Sequence, residues 1–255
     1  MVEFVELEEA KARGGLRMVY VSGVPSPWSE AVKGLLYVKK VPHVAVRLVP
    51  GENPVTEWTG QQSAPVAMYE DEAPRGGSAE IVLLAERLAP EPALIPSDPG
   101  DRALMFGLIH EIAGEMGLGW CRRLAGIDAG LRGEGGFPKP VAGYLAAKYG
   151  WREGMGREAQ ARVIEVLGLL AGRLADQKAR GRRTYIGDEL TALDIYSAAF
   201  AALFQPLPPE QCPMPDAMRA AFESVDIQTA AALDPILLEH RDFVYAEHLE
   251  LPLTL

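Results

Sequence analysis

A proline-rich stretch separates two parts of the sequence with different patterns, and this change most strongly limits the possible folds. Residues 89–99 have prolines at 90, 92, 96 and 99 and no periodic apolar pattern, which is typical of a linker. Before this stretch short apolar runs alternate with helical patterns, and after it only helical periodicity is found. The predicted divisions are 1–15 (an N-terminal extension), 16–89 (a mixed α/β domain), 90–100 (the linker) and 101–255 (an all-helical domain).

The first part of the chain is predicted to have the order β-α-β, loop, β, turn, α. Ser26 and Pro27 are typical of the cap and first residue of a helix, because proline lacks an N–H that this position does not use. The helix is expected to end near Lys40, before Pro42. The predicted strands are 16–22, 43–49 and 65–69, with a short helix around 55–59 and another helix carrying Ile81, Leu84, Ala85 and Leu88 on one face.

The second part contains only helical patterns, and the N-terminal extension is predicted to form one or two turns of helix that end at Gly14 and Gly15. Helices are predicted at 101–118, 119–131, 141–149, 158–177, 191–204 and 216–248, the last interrupted at Pro235. Thr191 and Asp194 have the spacing of a capping box, in which the threonine hydroxyl accepts from the Asp194 N–H and the carboxylate accepts from the Thr191 N–H.

Composition and charge exclude several classes of protein. The net charge of -10 would repel a nucleic-acid backbone, and no run of apolar residues is long enough to span a bilayer. The acidic N-terminus differs from a signal peptide, so a soluble, cytoplasmic protein is expected. Cys121 and Cys212 are too few for a disulfide framework or a cysteine-rich zinc site, and no metal site is predicted.

Three local patterns lie along this order of elements: residues 26–29, the pair Ala64-Pro65 with residues 77–81, and residues 185–194. Together with the order of elements, they resemble the glutathione transferase superfamily of the cytosolic type. Residues 26–29, Ser-Pro-Trp-Ser, are similar to the Ser-Pro-Phe of its serine-type tau class. Ala64-Pro65 is similar to the Val-Pro of the superfamily, and 77–81 follow after an insert in place of its Glu/Gln-Ser-x-Ala-Ile. Residues 185–194 match its hydrophobic-x-Gly-Asp and Thr-x-Ala-Asp pattern most closely. The resemblance covers about residues 16–205 and implies a thioredoxin-like N-terminal domain plus an all-α C-terminal domain.

The resemblance implies that Ser26 activates the thiol of glutathione. A free thiol with a pKa of about 8.5 is about 3% thiolate at pH 7, so a pKa lowered by about two units would make it mostly nucleophilic. A hydroxyl and a helix N-terminus together supply an effect of this size. A simple helix cap is the alternative role for Ser26, and Ser22 and Ser29 are the next candidates for the donor. Tyr20 is expected to lie in the core.

The same resemblance implies a glutathione site around a cis-proline. Pro65 would expose the backbone groups of Ala64 to the tripeptide, and Ser78 would bind its γ-glutamyl carboxylate at a helix N-terminus. Gly77 departs from the family, because glutamate or glutamine usually occupies this position, and this puts the strength of glutathione binding in doubt. Gln62, with Gln61, is a candidate for the glycyl carboxylate. Arg75 is a candidate for supplying positive charge near the γ-glutamyl group, and the alternative is that it simply faces solvent.

The expected function is a glutathione transferase acting on a small apolar electrophile. The expected pocket for that second substrate is formed by Trp28, Phe106, His110 and Trp120. Trp28 and His110 are also typical of core residues, so a role in the pocket and a role in the core are both kept as alternatives for them. A glutathione-dependent isomerase, dehalogenase or etherase, and a GST-like binding or assembly protein with little activity, are the alternatives. The resemblance also implies a homodimer, with no nucleic acid and no membrane as partners.

Overall fold

The structure, a computed structural model, describes residues 2–49 and 53–255. Its N-terminal part contains a four-stranded sheet in the order β1-β3-β2-β4. The elements of this part are β1 (Glu3–Phe4), α1 (Leu7–Ala12), β2 (Leu16–Val21), α2 (Pro27–Val38), β3 (His43–Leu48), α3 (Asn53–Thr59), β4 (Val66–Tyr69) and α4 (Ser78–Leu88).

The centre of this sheet is β2, whose residues from Leu16 to Tyr20 are all buried. It pairs in parallel with β3, beginning with Leu16 opposite His43. It pairs antiparallel with β4 as far as Val19, which lies opposite Val66. Apart from Arg17, whose guanidinium donates to Arg13 O at 2.8 Å, this strand is apolar, as a sheet covered on both faces requires. The β-α-β, loop, β, turn, α order predicted from the sequence is therefore confirmed.

The N-terminal extension differs from its prediction. It contains the predicted short helix α1, but Glu3 and Phe4 also form β1, which pairs in parallel with β3. The extension therefore adds a strand to the edge of the sheet. A strand of two residues carries no periodic signal in the sequence, and only its pairing with Val44 and Ala45 defines it.

The C-terminal part is entirely helical in the described residues, so the predicted combination of a thioredoxin-like domain with an all-α domain is confirmed. Asp98 caps the first of these helices by accepting a hydrogen bond from Asp101 N at 2.9 Å. The helices are α5 (Pro99–Ala113), α6 (Leu118–Arg132), α7 (Lys139–Tyr149), α8 (Met155–Ala179), α9 (Ala192–Ala201), α10 (Asp216–Glu223), α11 (Ile227–Ala232) and α12 (Pro235–His248). Among the described residues, no helix combines the length and the apolarity that crossing a membrane requires.

Helix α9 lies at the centre of the molecule, and each of its residues is buried. It packs against α2 of the first domain and against α5 and α12 of the second. Such a helix must be largely apolar on all sides, and the buried polar side chains of this run, such as Asp194 and Ser197, are held by hydrogen bonds within the core. The two domains therefore share one hydrophobic core, which also includes Met18 and Leu35 of the first domain.

The start of α9 is held by the fully buried carboxylate of Asp194. One of its oxygens accepts from the backbone N–H and the hydroxyl of Thr191, both at 2.8 Å, and the other accepts from Tyr185 N at 2.9 Å and lies 3.0 Å from His240 Nε2. The predicted capping pair of Thr191 and Asp194 is therefore present: the carboxylate accepts from Thr191 N, and the Thr191 hydroxyl also donates to it.

Removal of the Asp194 carboxylate should strongly destabilise the protein. Asp194→Ala leaves buried donors of Thr191 and Tyr185 without an acceptor and should lower the free energy of unfolding by about 3 to 5 kcal/mol. Denaturant titration measures this change. The control is Asp188→Ala, which removes an exposed carboxylate 3.1 Å from Arg182 and should change stability by about 0.5 kcal/mol. Equal midpoints for the two variants would contradict the role given to Asp194.

Candidate active site

Ser26 occupies the N-cap position of α2, as its sequence context predicts. Its backbone carbonyl accepts the first helical bond, from Glu30 N at 2.8 Å, but its side chain makes no capping hydrogen bond. The hydroxyl therefore lies at the positive end of the helix dipole without satisfying a helix donor itself. A hydroxyl in this position has its proton available for an anionic acceptor such as a thiolate.

The other candidate donors differ in their surroundings. Ser29 is fully buried, and its Oγ accepts from Val21 N at 3.2 Å, which fixes the first turn of α2 to the end of β2. Tyr20 is also fully buried, with its hydroxyl 3.4 Å from His43 Nε2, and burial raises the pKa of this phenol. Ser22 is half-buried on the turn between β2 and α2. Ser26 and Ser22 are thus better placed than Ser29 or Tyr20.

The Ala64-Pro65 peptide bond is cis. β2 pairs with β4 as far as Val19 opposite Val66, so Ala64 and Pro65 directly precede the first paired residue of β4. Among the described residues, the backbone N–H and C=O of Ala64 make no hydrogen bond to another backbone group. An extended peptide could supply these missing bonds beside the turn that leads to Ser26.

The start of α4 forms the next part of this region. Ser78 is the first residue of the helix and is half-buried. Burial raises the pKa of Tyr196 on α9 to about 12, and the nearby Ser78 hydroxyl opposes this shift. Gly77 has no side chain to cap the helix, and its N–H donates to Glu80 Oε2 at 3.1 Å. One donor at this helix N-terminus is therefore already used by a carboxylate of the chain itself.

The loop before Pro65 and the insert after β4 flank the start of α4. The side chain of Gln61 lies beside Gly76, and the carbonyl of Gln62 accepts from Lys148 Nζ at 3.1 Å. Arg75 extends the sheet through backbone bonds with Ala67, and its guanidinium pairs with Glu72. Its charge is therefore used within the insert, and its side chain is less exposed than expected.

Trp28 joins this region to the helical domain. Its Nε1 donates to Ala113 O at 2.8 Å, and its ring packs edge-on against Phe200 of α9, with centroids 4.9 Å apart. A side chain at Gly119 would come within 2.8 Å of the indole, so only glycine allows α6 to approach this closely. The residue following the Ser-Pro pair thus anchors α2 at the junction of both domains. We refer to the region between Ser26, α5 and α6, with Trp28 as its wall, as the cleft.

Trp120 lies farther along that wall, on α6. Its ring packs edge-on against Tyr149 at the end of α7, with centroids 4.9 Å apart. Arg123, one turn after Trp120, lies over Trp28 with its guanidinium carbon 4.8 Å from the ring centroid. Arg123, Lys148 and Tyr149 were missed by sequence reasoning, because no local motif indicates that the end of α7 contacts the loop before Pro65.

Phe106 and His110 lie on one face of α5 together with Ala113, at spacings of about one helical turn. The carbonyl of Ala113 accepts the hydrogen bond from Trp28, so the end of α5 reaches the junction of the domains. Phe106 is half-buried, whereas His110 is exposed and its ring lies beside Gly114. The structure therefore links Trp28 to Trp120 through Arg123 and Tyr149, and it places His110 on the exposed side of α5.

A cavity of about 390 Å³ lies elsewhere, between the second half of α2, the start of β3 and the C-terminal tail. Its buried cation, Lys33, already binds Glu30 Oε1 at 2.8 Å and Thr254 O at 2.7 Å. Burial raises the pKa of Glu30, and the nearby Lys33 opposes this shift. The two buried charges of this cavity, Lys33 and Glu30, are paired with each other, so the region around Ser26 is the better candidate.

The two cysteines lie outside the cleft and are buried. The thiol of Cys121 is 3.2 Å from Met116 O, and burial raises the pKa of both Cys121 and Cys212 to about 11. Thiols with such pKa values are protonated at neutral pH and unreactive. Among the described residues, no group of histidine, cysteine and carboxylate side chains is arranged to hold a metal ion.

Comparison with solved structures identifies the fold. A glutathione S-transferase from Methylobacterium radiotolerans, in complex with glutathione sulfonate, is 18% identical with a TM-score of 0.60, covering 94% of this chain and 97% of that one. A glutathione S-transferase domain-containing protein from Marinobacter aquaeolei is 18% identical with a TM-score of 0.62 over 91% and 98% of the two chains. The β-etherase LigF from Sphingobium is 18% identical with a TM-score of 0.56 over 89% and 99%.

These similarities cover both domains, so the chain has the complete two-domain fold of the glutathione transferases. No protein-family profile matches the sequence, and no curated protein matches it significantly. At this level of identity the similarity establishes the fold, and the reaction must be argued from the residues of the cleft.

The cysteines should be inert in the folded protein. A thiol-specific reagent at neutral pH should label neither Cys121 nor Cys212 until denaturant unfolds the chain, because burial keeps both thiols protonated and inaccessible. Spectrophotometric titration with and without denaturant measures this difference. Labelling of one thiol in the native protein would contradict the prediction, and Cys121→Ser and Cys212→Ser variants would identify which one.

Proposed function

We propose that this protein is a glutathione-dependent enzyme that joins the glutathione thiol to a small electrophile with an apolar body. The observations that carry the proposal are the Ser26 hydroxyl at the start of α2, which makes no capping bond, and the cis Ala64-Pro65 bond, where Ala64 makes no backbone hydrogen bond among the described residues. An extended tripeptide paired with Ala64 would place its sulfur near this hydroxyl. Ser78 and the first turn of α4 are the proposed site for its γ-glutamyl carboxylate.

In the proposed reaction Ser26 donates a hydrogen bond to the sulfur and so stabilises the thiolate. The positive end of the α2 dipole acts in the same direction. The thiolate attacks the electrophilic carbon, a C–S bond forms, and the leaving group departs with the bonding electrons. The indole of Trp28, fixed by its bond to Ala113, forms a rigid wall against which the electrophile packs.

Binding without glutathione chemistry is the second candidate function. The Glu80 carboxylate lies at the N-terminus of α4, where a second carboxylate would be repelled, and Gly77 offers no side chain to hold the ligand. This favours weak glutathione binding or none. Location in the cytoplasm and assembly as a homodimer are further parts of the main proposal. The first is supported by the acidic N-terminus and the second by the family resemblance.

Retention on immobilised glutathione should separate these two functions. The enzyme is expected to bind the resin and to elute with free glutathione, whereas a binding protein of the second kind would pass through. Glu80→Gln, which removes the competing charge but keeps a hydrogen-bond acceptor for Gly77 N, should strengthen retention. Flow-through of both proteins, with no conjugation detected, would contradict the proposed function.

Loss of the Ser26 hydroxyl should reduce conjugation without preventing folding. Ser26→Ala should lower kcat/KM by about 100-fold and move the pH dependence upward by about two units, because the thiol returns towards its free pKa. Steady-state kinetics across a pH range measure both effects. Ser97→Ala, an exposed serine in the linker, is the matched control. Full activity in Ser26→Ala would exclude Ser26 as the donor, and the same loss in Ser22→Ala instead would assign that role to Ser22.

A further inference from the structure

Arg123 is held between two aromatic rings at the proposed acceptor wall. Its guanidinium carbon lies 4.8 Å from the ring centroid of Trp28 and 5.1 Å from that of Tyr149, and one of its nitrogens donates to the Tyr149 hydroxyl. A guanidinium held in this way keeps its charge and several N–H donors, while the rings fix its orientation. Arg123 is therefore positioned before any ligand arrives.

Lys148 brings a second positive charge to the same cleft. It precedes Tyr149 at the end of α7, and its Nζ donates to the carbonyl of Gln62 at 3.1 Å. Gln62 lies in the loop that leads to Ala64 and Pro65, so the contact joins the end of α7 to the proposed glutathione site. An ammonium group with one neutral acceptor retains two further donors.

These two cations have no acidic partner in the described part of the chain. Neither Arg123 nor Lys148 forms an ion pair with a described carboxylate, unlike Arg162, which pairs with Glu111. The whole chain carries a net charge of -10, so two unpaired cations that both contact Tyr149 make this part of the molecule locally positive. Such a pair attracts an anion.

We propose that the electrophile has an acidic group, a carboxylate on an aromatic body, and that Arg123 and Lys148 bind this carboxylate. The aromatic body packs against Trp28 and Trp120, and the carboxylate is directed to the rim where α7 meets the loop before Pro65. This inference rests on the proposed function, because it names the substrate class of the same site. It concerns the acceptor only, and glutathione binding does not depend on it.

A matched pair of acceptors tests the proposal: a chloronitrobenzoate and the corresponding chloronitrobenzamide, which differ in charge but hardly in shape. In each the glutathione thiolate attacks the carbon bearing chlorine, a C–S bond forms, the C–Cl bond breaks, chloride leaves with the electron pair, and the thiol proton passes to solvent. The ratio of kcat/KM for acid and amide is divided by the ratio of their uncatalysed rates. This corrects for their different intrinsic reactivity.

The native enzyme should prefer the acid by about tenfold or more after this correction, as expected for one charge-assisted contact. Arg123→Gln and Lys148→Gln should each raise KM for the acid several-fold and leave KM for the amide within about twofold, since an uncharged acceptor lacks the contact. Lys148 is exposed, so its substitution does not threaten folding. Arg123→Lys should retain part of the preference, because charge is kept but the stacked, planar geometry is lost.

Lys139→Gln, at the opposite end of α7, and Arg157→Gln, exposed on α8, are the matched controls and should keep the native preference. A native enzyme that shows no preference for the acid would overturn the proposal. The proposal would also be overturned if Lys148→Gln and Arg123→Gln raised KM for glutathione while the preference for the acid stayed the same. That result would assign both cations to the glycyl carboxylate of glutathione.

A binding experiment separates this inference from the proposed function. Nitrobenzoate and nitrobenzamide, which lack the leaving group, are titrated against the protein with tryptophan fluorescence as the signal, since Trp28 and Trp120 line the wall. The proposed enzyme would be rejected and the anion site kept by one set of results. The acid binds selectively, Lys148→Gln loses this binding, and the protein shows neither conjugation nor retention on glutathione. Conjugation of both acceptors without selective binding would keep the enzyme and reject the anion site.

Discussion

The buried carboxylate of Asp194 is the contact on which the arrangement of both domains depends. It holds Thr191 at the start of α9, the backbone of Tyr185 and the ring of His240 on α12. Helix α9 then supplies the surface on which α2 and α5 pack. Four partners for one carboxylate remove most of the penalty for burying its charge, so the anion is stable where no water reaches it. Without this anchor, α9 would lose the fixed direction that brings the two domains together.

Trp28 connects the packing of the two domains to the candidate site. It follows Ser26 and Pro27 directly, donates to Ala113 on α5 and packs on Phe200 of α9, so the start of α2 is fixed by the helical domain. A hydroxyl that activates a thiol must be positioned to within a fraction of a bond length. Side chains held by packed helices keep such a position more accurately than loops do. The indole therefore connects a packing contact in the core to the position of one hydroxyl at the surface of the cleft.

The charges around the candidate site are unevenly distributed. The start of α4 carries the Glu80 carboxylate, whereas Arg123 on α6 and Lys148 at the end of α7 have no acidic partner among the described residues. In a chain with a net charge of -10, these two cations are therefore the groups of this region that would attract an anion. The Arg123 guanidinium would lose little freedom on binding, because two aromatic rings already restrict it. In the proposed function, the start of α4 sets the strength of glutathione binding and the end of α7 selects the acceptor.

The sequence by itself determined the division into a mixed domain and a helical domain, the start of α2 at Ser26 and Pro27, and the Thr191–Asp194 pair. These features depend on neighbours within one or two turns, which is the range that periodicity and capping reflect. Tertiary structure alone decided that β1 joins β3, that His240 completes the Asp194 cluster, and that Arg123 and Lys148 face the cleft. Each of these contacts joins residues far apart in the chain, and packing of the whole core determines which distant residues meet.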